Sequence, residues 1–412
     1  MTQPRTGNPR IPIYRLAAAR AISIGGGAAA FAALMYVVFD KTGSAKWVAA
    51  TLFFTFGVSG LMSPIGGLIA DRFDRKWVMI WSDLAGAACF VVMAFLHDPA
   101  LLIAVAFIAA LAETPFWSAS SGAIPNIATP EDLSKANALL VASRNLGLML
   151  GPVIGGVMVA SLGAQWVFLF NAATFVFSAA LVWTVRANFQ EERDEEQATK
   201  GLRVGFSYLA HEPVLRTILA AWSGMVLGMG MSMVADLPLV KSFVPDSVAL
   251  GYGALIACWG GGALIGTIFG RWMNARNEGY YIVYGTAVIA LGTAATALAP
   301  GFVIALAGVL IAGIGDSSTI VADESILQRR TPDEIRSRVA SVSQALWQIA
   351  LAISYIFGGI VVGYLGPQGM YGVGAIMGAI ATVVLIPILG IMRKEADERD
   401  KAMDVDKTGS GE

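Results

Sequence analysis

Gly67-Leu-Ile-Ala-Asp71-Arg72-Phe-Asp74-Arg75-Lys76 is a short charged stretch between two long apolar runs, 46–70 and 77–96. A helix needs about 20 apolar residues to cross a bilayer core. The stretch therefore reads as a tight turn between two crossings, with Arg72, Arg75 and Lys76 gathered on one side. On either side of this pair, runs of spanning length fall at 14–39, 99–123, 136–161 and 165–187. Six more fall at 214–241, 249–273, 280–299, 301–325, 338–365 and 369–392. The pattern predicts an all-α membrane protein of about twelve transmembrane helices.

Composition agrees. Hydrophobic residues make up 56% of the 412 and charged residues 14%, against about 25% charged in soluble domains. The net charge of −1 gives no sign of a nucleic-acid partner. Cys89 and Cys258 lie in apolar stretches without metal-ligand spacing, so neither a disulfide framework nor a metal site is expected. His97 and His211 fall at opposite predicted faces, and no cluster has catalytic spacing; an enzyme is not expected. No glycine cluster reads as a nucleotide-phosphate loop, so no cofactor is expected and a proton gradient is the expected energy source.

Arg5, Arg10 and Arg15 precede the first run as they would a secretory signal, but that run is long enough to span and others follow. It reads as an uncleaved first helix with residues 1–13 cytoplasmic. With that orientation only Lys41, Lys46 and Lys241 of the 28 Lys and Arg fall in exterior loops. Arg271, Arg276, Arg329, Arg330, Arg336, Arg338, Arg393 and Lys394 join the first cluster inside, as the positive-inside rule requires. A bacterial inner membrane, with both termini cytoplasmic, is the expected location.

The chain also looks duplicated. Thr129-Pro-Glu-Asp132 recurs as Thr331-Pro-Asp-Glu334, 202 residues on, and Gly155-Gly156 recurs as Gly358-Gly359, 203 residues on. Gly67–Arg72 parallels Gly266–Arg271. The predicted organisation is a six-helix bundle at 14–187, a cytoplasmic linker at 188–213, a second pseudo-symmetric bundle at 214–392 and a tail at 393–412. Leu202, Phe206, Leu209 and Ala210 recur at helical spacing in the linker and predict an amphipathic helix on the inner membrane surface.

These motifs resemble a known family. Gly67–Lys76 resembles the signature loop of the major facilitator superfamily, and Gly147-Leu-Met-Leu-Gly151-Pro152-Val-Ile-Gly155-Gly156 resembles the antiporter motif of its drug exporters. Gly201-Leu-Arg203, His211-Glu-Pro213-Val-Leu-Arg216 and Thr129–Asn137 are similar to a narrower group, the macrolide-efflux and enterobactin exporters. The resemblance implies the major facilitator fold and a drug:proton antiporter exporting small amphipathic compounds by alternating access. It also implies that Gly67, Asp71, Arg72, Arg75 and Lys76 latch one gate. Asp74 departs from the usual glycine there, and aspartate tolerates a left-handed turn better than most residues. Asp83, near the start of the third span, reads as one of the signature-loop charges.

Gly147, Gly151 and Gly155 lie four apart, on one helix face, where a second backbone can approach closely; packing alone would explain them. Pro152 removes one helical hydrogen bond. Ionisable residues at membrane depth are costly and mark functional sites. Glu113 lies mid-span and Asp316 well inside its own span, 203 residues on; each precedes a hydroxyl residue, Thr114 or Ser317. Both suit proton coupling or cation recognition; structural pairing with an arginine such as Arg20 or Arg144 is the other reading. Asp236 is a further substrate or proton candidate, or an interfacial ion pair near Lys241. Asp323 and Glu324 read as a rim network with Arg329 and Arg330. Phe116 and Trp117 are the aromatic candidates for a substrate pocket. Uptake by symport or facilitation, and lysolipid transport, are the alternatives within the fold. A receptor or scaffold would need a soluble domain beyond the linker and tail. The expected partners are an amphipathic substrate, protons and lipid, with a monomer as the working form.

Overall fold

The computed structural model describes residues 10–127, 133–185, 198–274, 276–332 and 335–409; side chains at 10–13, 63, 71, 121–122, 124–127, 133–145, 198–202, 337 and 396–409 lie outside that description. The Thr129–Asp132 start signal, Asp333 and Glu334 fall outside it too. So do the side chains of Asp71, Leu202 and Arg144.

No strand occurs among the described residues. The first six passages are α1 (Arg10–Thr42), α2 (Ala45–Leu52, continued by Phe53–Val58, Ser59–Leu61 and Ser63–Arg72), α3 (Arg75–Phe95), α4 (Pro99–Ile127), α5 (Leu133–Leu162) and α6 (Ala164–Thr184). The short helix α7 (Ala198–His211) precedes α8 (Pro213–Phe243), α9 (Val248–Phe269), α10 (Glu278–Ala297), α11 (Phe302–Arg330) and α12 (Arg336–Gly409). α12 is two legs, separated at Gly366 where φ is 66°. Nine of the described helices are long and apolar enough to cross a membrane, ten if the bent α2 is one span. Counting both legs of α12 and the apolar stretch Leu146–Leu162 of α5 brings the passages to twelve.

α2 is less regular than its sequence suggests. Phe53–Val58 is a π-helical turn, and the helix bends by 52° where Pro64 follows Met62 and Ser63. Proline cannot donate to the preceding turn, which localises the bend.

The packing divides into two compact units. One is drawn from Met1–Asp194, Val234–Gly260 and Tyr355–Tyr364; the other from Glu195–Met233, Gly261–Ser354 and Leu365–Glu412. The duplication is visible contact by contact. In the first unit, the Cβ position of Gly26 on α1 runs into Asn171 and Thr174 of α6. In the second, that of Gly228 on α8 meets Gly374 and Met377 of α12. These partners are offset by 202 and 203 residues. The turns Gly163 (φ 91°) and Gly366 (φ 66°), where α6 and the second leg of α12 begin, are 203 apart as well. Only glycine adopts such values at little cost.

Apolar side chains outside the unit cores remain exposed along the spans. Trp81, Trp183 and Tyr364 are among the most exposed, as expected for faces turned to lipid.

Candidate functional site

The charged turn between α2 and α3 is built by local capping. Asp74 is the N-cap of α3, its Oδ1 accepting from the backbone N–H groups of Lys76 (2.9 Å) and Trp77 (3.2 Å). Its φ of −58° is not left-handed, which corrects the sequence expectation. Aspartate stands here because it satisfies orphan donors at a helix start. Lys76 donates through Nζ to the Val185 carbonyl at 2.9 Å, and Arg15 donates to the Thr184 carbonyl at 3.0 Å. Both cations thus meet the negative C-terminal end of α6. Arg75 is buried, whereas Arg72 is exposed. A Cβ on Gly67 would meet nothing within 4 Å.

The α5 glycines form a seam with α1. A Cβ on Gly147 would stand 2.9 Å from Ile24 Cγ2, one on Gly151 2.5 Å from the Gly25 carbonyl oxygen, and one on Gly155 2.5 Å from the Ala29 carbonyl oxygen. An adjoining face of α5, about 100° round the helix, meets α9 within the same unit. A Cβ on Gly156 would lie 2.8 Å from the Ala249 carbonyl oxygen, and one on Gly253 2.7 Å from that of Pro152. α5 is therefore held backbone-to-backbone on two sides, with Pro152 inside it.

Glu113 is half-buried on α4, and Phe116 and Trp117 follow within one turn. Phe116, 3% exposed, packs into the apolar cluster with Leu16, Ala19, Met79 and Val182. Trp117 is 36% exposed, and the Arg20 guanidinium of α1 sits over its ring at 5.2 Å. Gly66 of α2 abuts the next residue: its Cβ would lie 2.6 Å from Thr114 Cγ2. The second unit repeats this. Asp316, 6% exposed, lies on α11, and a Cβ on Gly266 of α9 would stand 3.1 Å from Ser317 Cβ. Ser317 Oγ pairs with Thr267 Oγ1 at 2.8 Å.

Asp236 of α8 belongs to the first unit. It acts electrostatically on two buried phenols, Tyr252 of α9 and Tyr355 of α12, neither of which its sequence neighbourhood suggests. Lys241 lies over the Phe39 ring at 5.4 Å.

The rim of the second unit is rearranged relative to expectation. Arg329 pairs with Glu278 at 3.0 Å, and Arg330 with Glu212 at 2.8 Å and with Glu395. Asp323 and Glu324 are not their partners, because α11 points both arginines toward α10, the start of α8 and the end of α12. Tyr208 of α7 donates to the Arg330 carbonyl. Burial and the Glu212 carboxylate push the Tyr208 phenol above its ordinary value, while Arg330 pulls it down.

Asp83 is not with the loop charges either. It lies more than two turns into α3, 1% exposed. Ser178 of α6 stands opposite it, and Glu113 is within its electrostatic reach.

A family model described as Major Facilitator Superfamily matches residues 16–354 and again 252–407. Among curated relatives, "Uncharacterized MFS-type transporter YfiS" of Bacillus subtilis (strain 168) is 24% identical over 324 residues, covering 74% of this chain and 76% of its own. "Enterobactin exporter EntS" of Escherichia coli O1:K1 / APEC is 26% identical over 322 residues, covering 74% and 73%. Among solved structures, a bacterial homologue of the lysosomal transporter Spinster in an inward-facing, unoccupied conformation superposes with a TM-score of 0.70. It is 14% identical and covers 94% of this chain and 96% of its own.

Proposed function

The chain belongs to the Major Facilitator Superfamily and is a membrane transporter, and from that premise we propose that it is a proton-coupled exporter of small amphipathic compounds. The observation that carries the coupling is the pair Glu113 and Asp316. Each is a carboxyl at membrane depth, at equivalent places in the duplicated halves, beside a hydroxyl residue wedged against a glycine of the neighbouring helix. Residues of this kind are retained in a membrane because they move or bind charge.

Outward direction is supported by the relative named as an enterobactin exporter, and by α5, whose motif resembles that of drug:proton antiporters. The backbone contacts of α5 with α1 and α9 give it a structural basis for holding one path closed. Arg72, Arg75 and Lys76 lie at the opposite end of α2 and α3 and suit the inner latch. Trp117, with Arg20 across its face, is the more open of the two aromatic candidates for an amphipathic substrate. The protein works as a monomer in a bacterial plasma membrane with both termini inside, and protons replace any cofactor. One charge crossing 100 mV supplies about 2.3 kcal/mol, enough for a gradient of roughly fiftyfold.

Everted membrane vesicles with ethidium added outside test this reading. Wild type is expected to accumulate the dye when the lumen is acidified, and Glu113→Gln to lose that response. Unchanged pH dependence in the variant would refute the coupling assignment. Accumulation only in right-side-out vesicles would refute export.

A further inference from the structure

The first unit contains a buried acidic group that the coupling pair does not use. Asp83 of α3 is 1% exposed, and its Oδ2 has no hydrogen-bond partner. Across the helix interface lies a polar stripe on α6: Asn171, Thr174 and Ser178, all buried. Thr174 donates to the Asn171 side-chain oxygen at 3.0 Å, but Asn171 Nδ2 and Ser178 Oγ are also without partners. Asn171 and Thr174 face Gly26 of α1, whereas Ser178 is the group that stands against Asp83, so the acid is buried with one hydroxyl to satisfy it.

The duplication shows that fold alone does not require a carboxyl there. In the second unit the place of Asp83 is held by Thr286 of α10 and that of Ser178 by the buried Ala381 of α12, each 203 residues on, with Thr382 beside it. Thr382 Oγ1 donates to Thr286 Oγ1 at 3.2 Å, and Thr286 is 1% exposed. A neutral threonine therefore packs at this position, and the first unit replaces it with an acid that faces Ser178.

We propose that Asp83 and Glu113 hold one exchangeable proton between them inside the first unit, so that Asp83 is a second coupling residue. The two carboxyls sit on adjoining helices within electrostatic reach of each other. Cys89, on α3 itself, also feels Glu113, and Arg20 of α1 stands over Trp117 one turn beyond Glu113. Ala164–Thr184 of α6 contains no titratable residue, and α2 has none between Lys46 and Asp71. Ser178 is placed to accept from a protonated Asp83 or donate to an ionised one. In transport, the proton leaves the carboxylic O–H of one acid and forms the O–H of the other; the total charge of the pair is unchanged. Phe116, one turn beyond Glu113, and Met79, one turn before Asp83, pack in one buried cluster, so the two acids lie at similar depth on adjoining helices.

The inference rests on proton coupling, and two measurements keep the failures apart. Infrared difference spectra of purified protein titrated with pH report carboxylic C=O bands without any substrate. Asp83→Asn is expected to remove one titrating band, and Glu113→Gln to shift it. Asp83→Thr puts the second unit's neutral residue at this position and serves as the folding control. A pH titration of these bands unchanged in Asp83→Asn and Asp83→Thr would overturn the assignment. In proteoliposomes with ethidium, both Asp83 variants are expected to lose up to about fiftyfold in gradient-driven accumulation while dye-for-dye exchange continues. Full proton-driven accumulation in these variants, with Glu113→Gln defective, would also overturn it. If wild type itself shows no proton-driven accumulation, the coupling reading fails, and the infrared result alone decides whether the two acids share a proton.

Discussion

At the scale of single residues, Asp74 shows how a departure from a motif can have a local cause. Where the signature loop usually has glycine, this chain uses a helix cap, and the cap carries a measurable cost. Asp74→Ala should destabilise the protein by about 1 kcal/mol, read as a lower thermal midpoint in detergent, whereas Asp74→Ser should stay near wild type. The presence of aspartate was legible in the sequence, but its role was not, since cap and left-handed turn both favour that residue type. Glu113 and Asp316 were legible because a charge inside an apolar run stands out. Asp83 is equally visible, but its nearness in sequence to the charged loop hides its separate place. Only its partner across space, Ser178, separates it from them. The same is true of Asp236, whose two phenols come from α9 and α12.

At the scale of elements, spacing carried more of the answer. Glycines four apart on α5 predicted a close helix approach, and the structure supplies α1 as the partner. Gly151→Val should force the two backbones apart, costing about 1–3 kcal/mol of stability and lowering transport. Gly27→Ala is the matched control, because a Cβ there meets nothing within 4 Å. Equal losses in both would show that the seam is not what matters. The π turn of α2 was not legible, since Phe53–Val58 is as apolar as its surroundings and only Pro64 hints at a bend. Arg330 ties α11 to the start of α8 and the end of α12. Arg330→Ala leaves Glu212 largely buried and unpaired, at a cost of about 3 kcal/mol. Arg329→Ala should cost less, because Arg329 is more exposed. The Tyr208 phenol, held above its ordinary value, adds stability that is complete below pH 10 and fades as pH rises through its raised value. Tyr208→Phe should flatten that alkaline decline in thermal midpoint.

At the scale of the whole molecule, duplication made the architecture readable. Offsets near 203 residues link the sequence landmarks, the turns at Gly163 and Gly366, the α1–α6 and α8–α12 contacts, and the two carboxyls Glu113 and Asp316. What repetition leaves open is where the halves differ, and Asp83 opposite Thr286 is such a place. The transported compound was not legible, because apolar spans and aromatic side chains serve packing, lipid and substrate alike. The central claim is that carboxyls at repeat-equivalent positions couple proton flow to export. Its most direct test is dequenching of a pH dye in acid-loaded everted vesicles when ethidium is added. Wild type should release protons as the dye enters, while Glu113→Gln and Asp316→Asn each lower or abolish that release. Ethidium entry without proton release in wild type, or full release in both variants, would contradict the account.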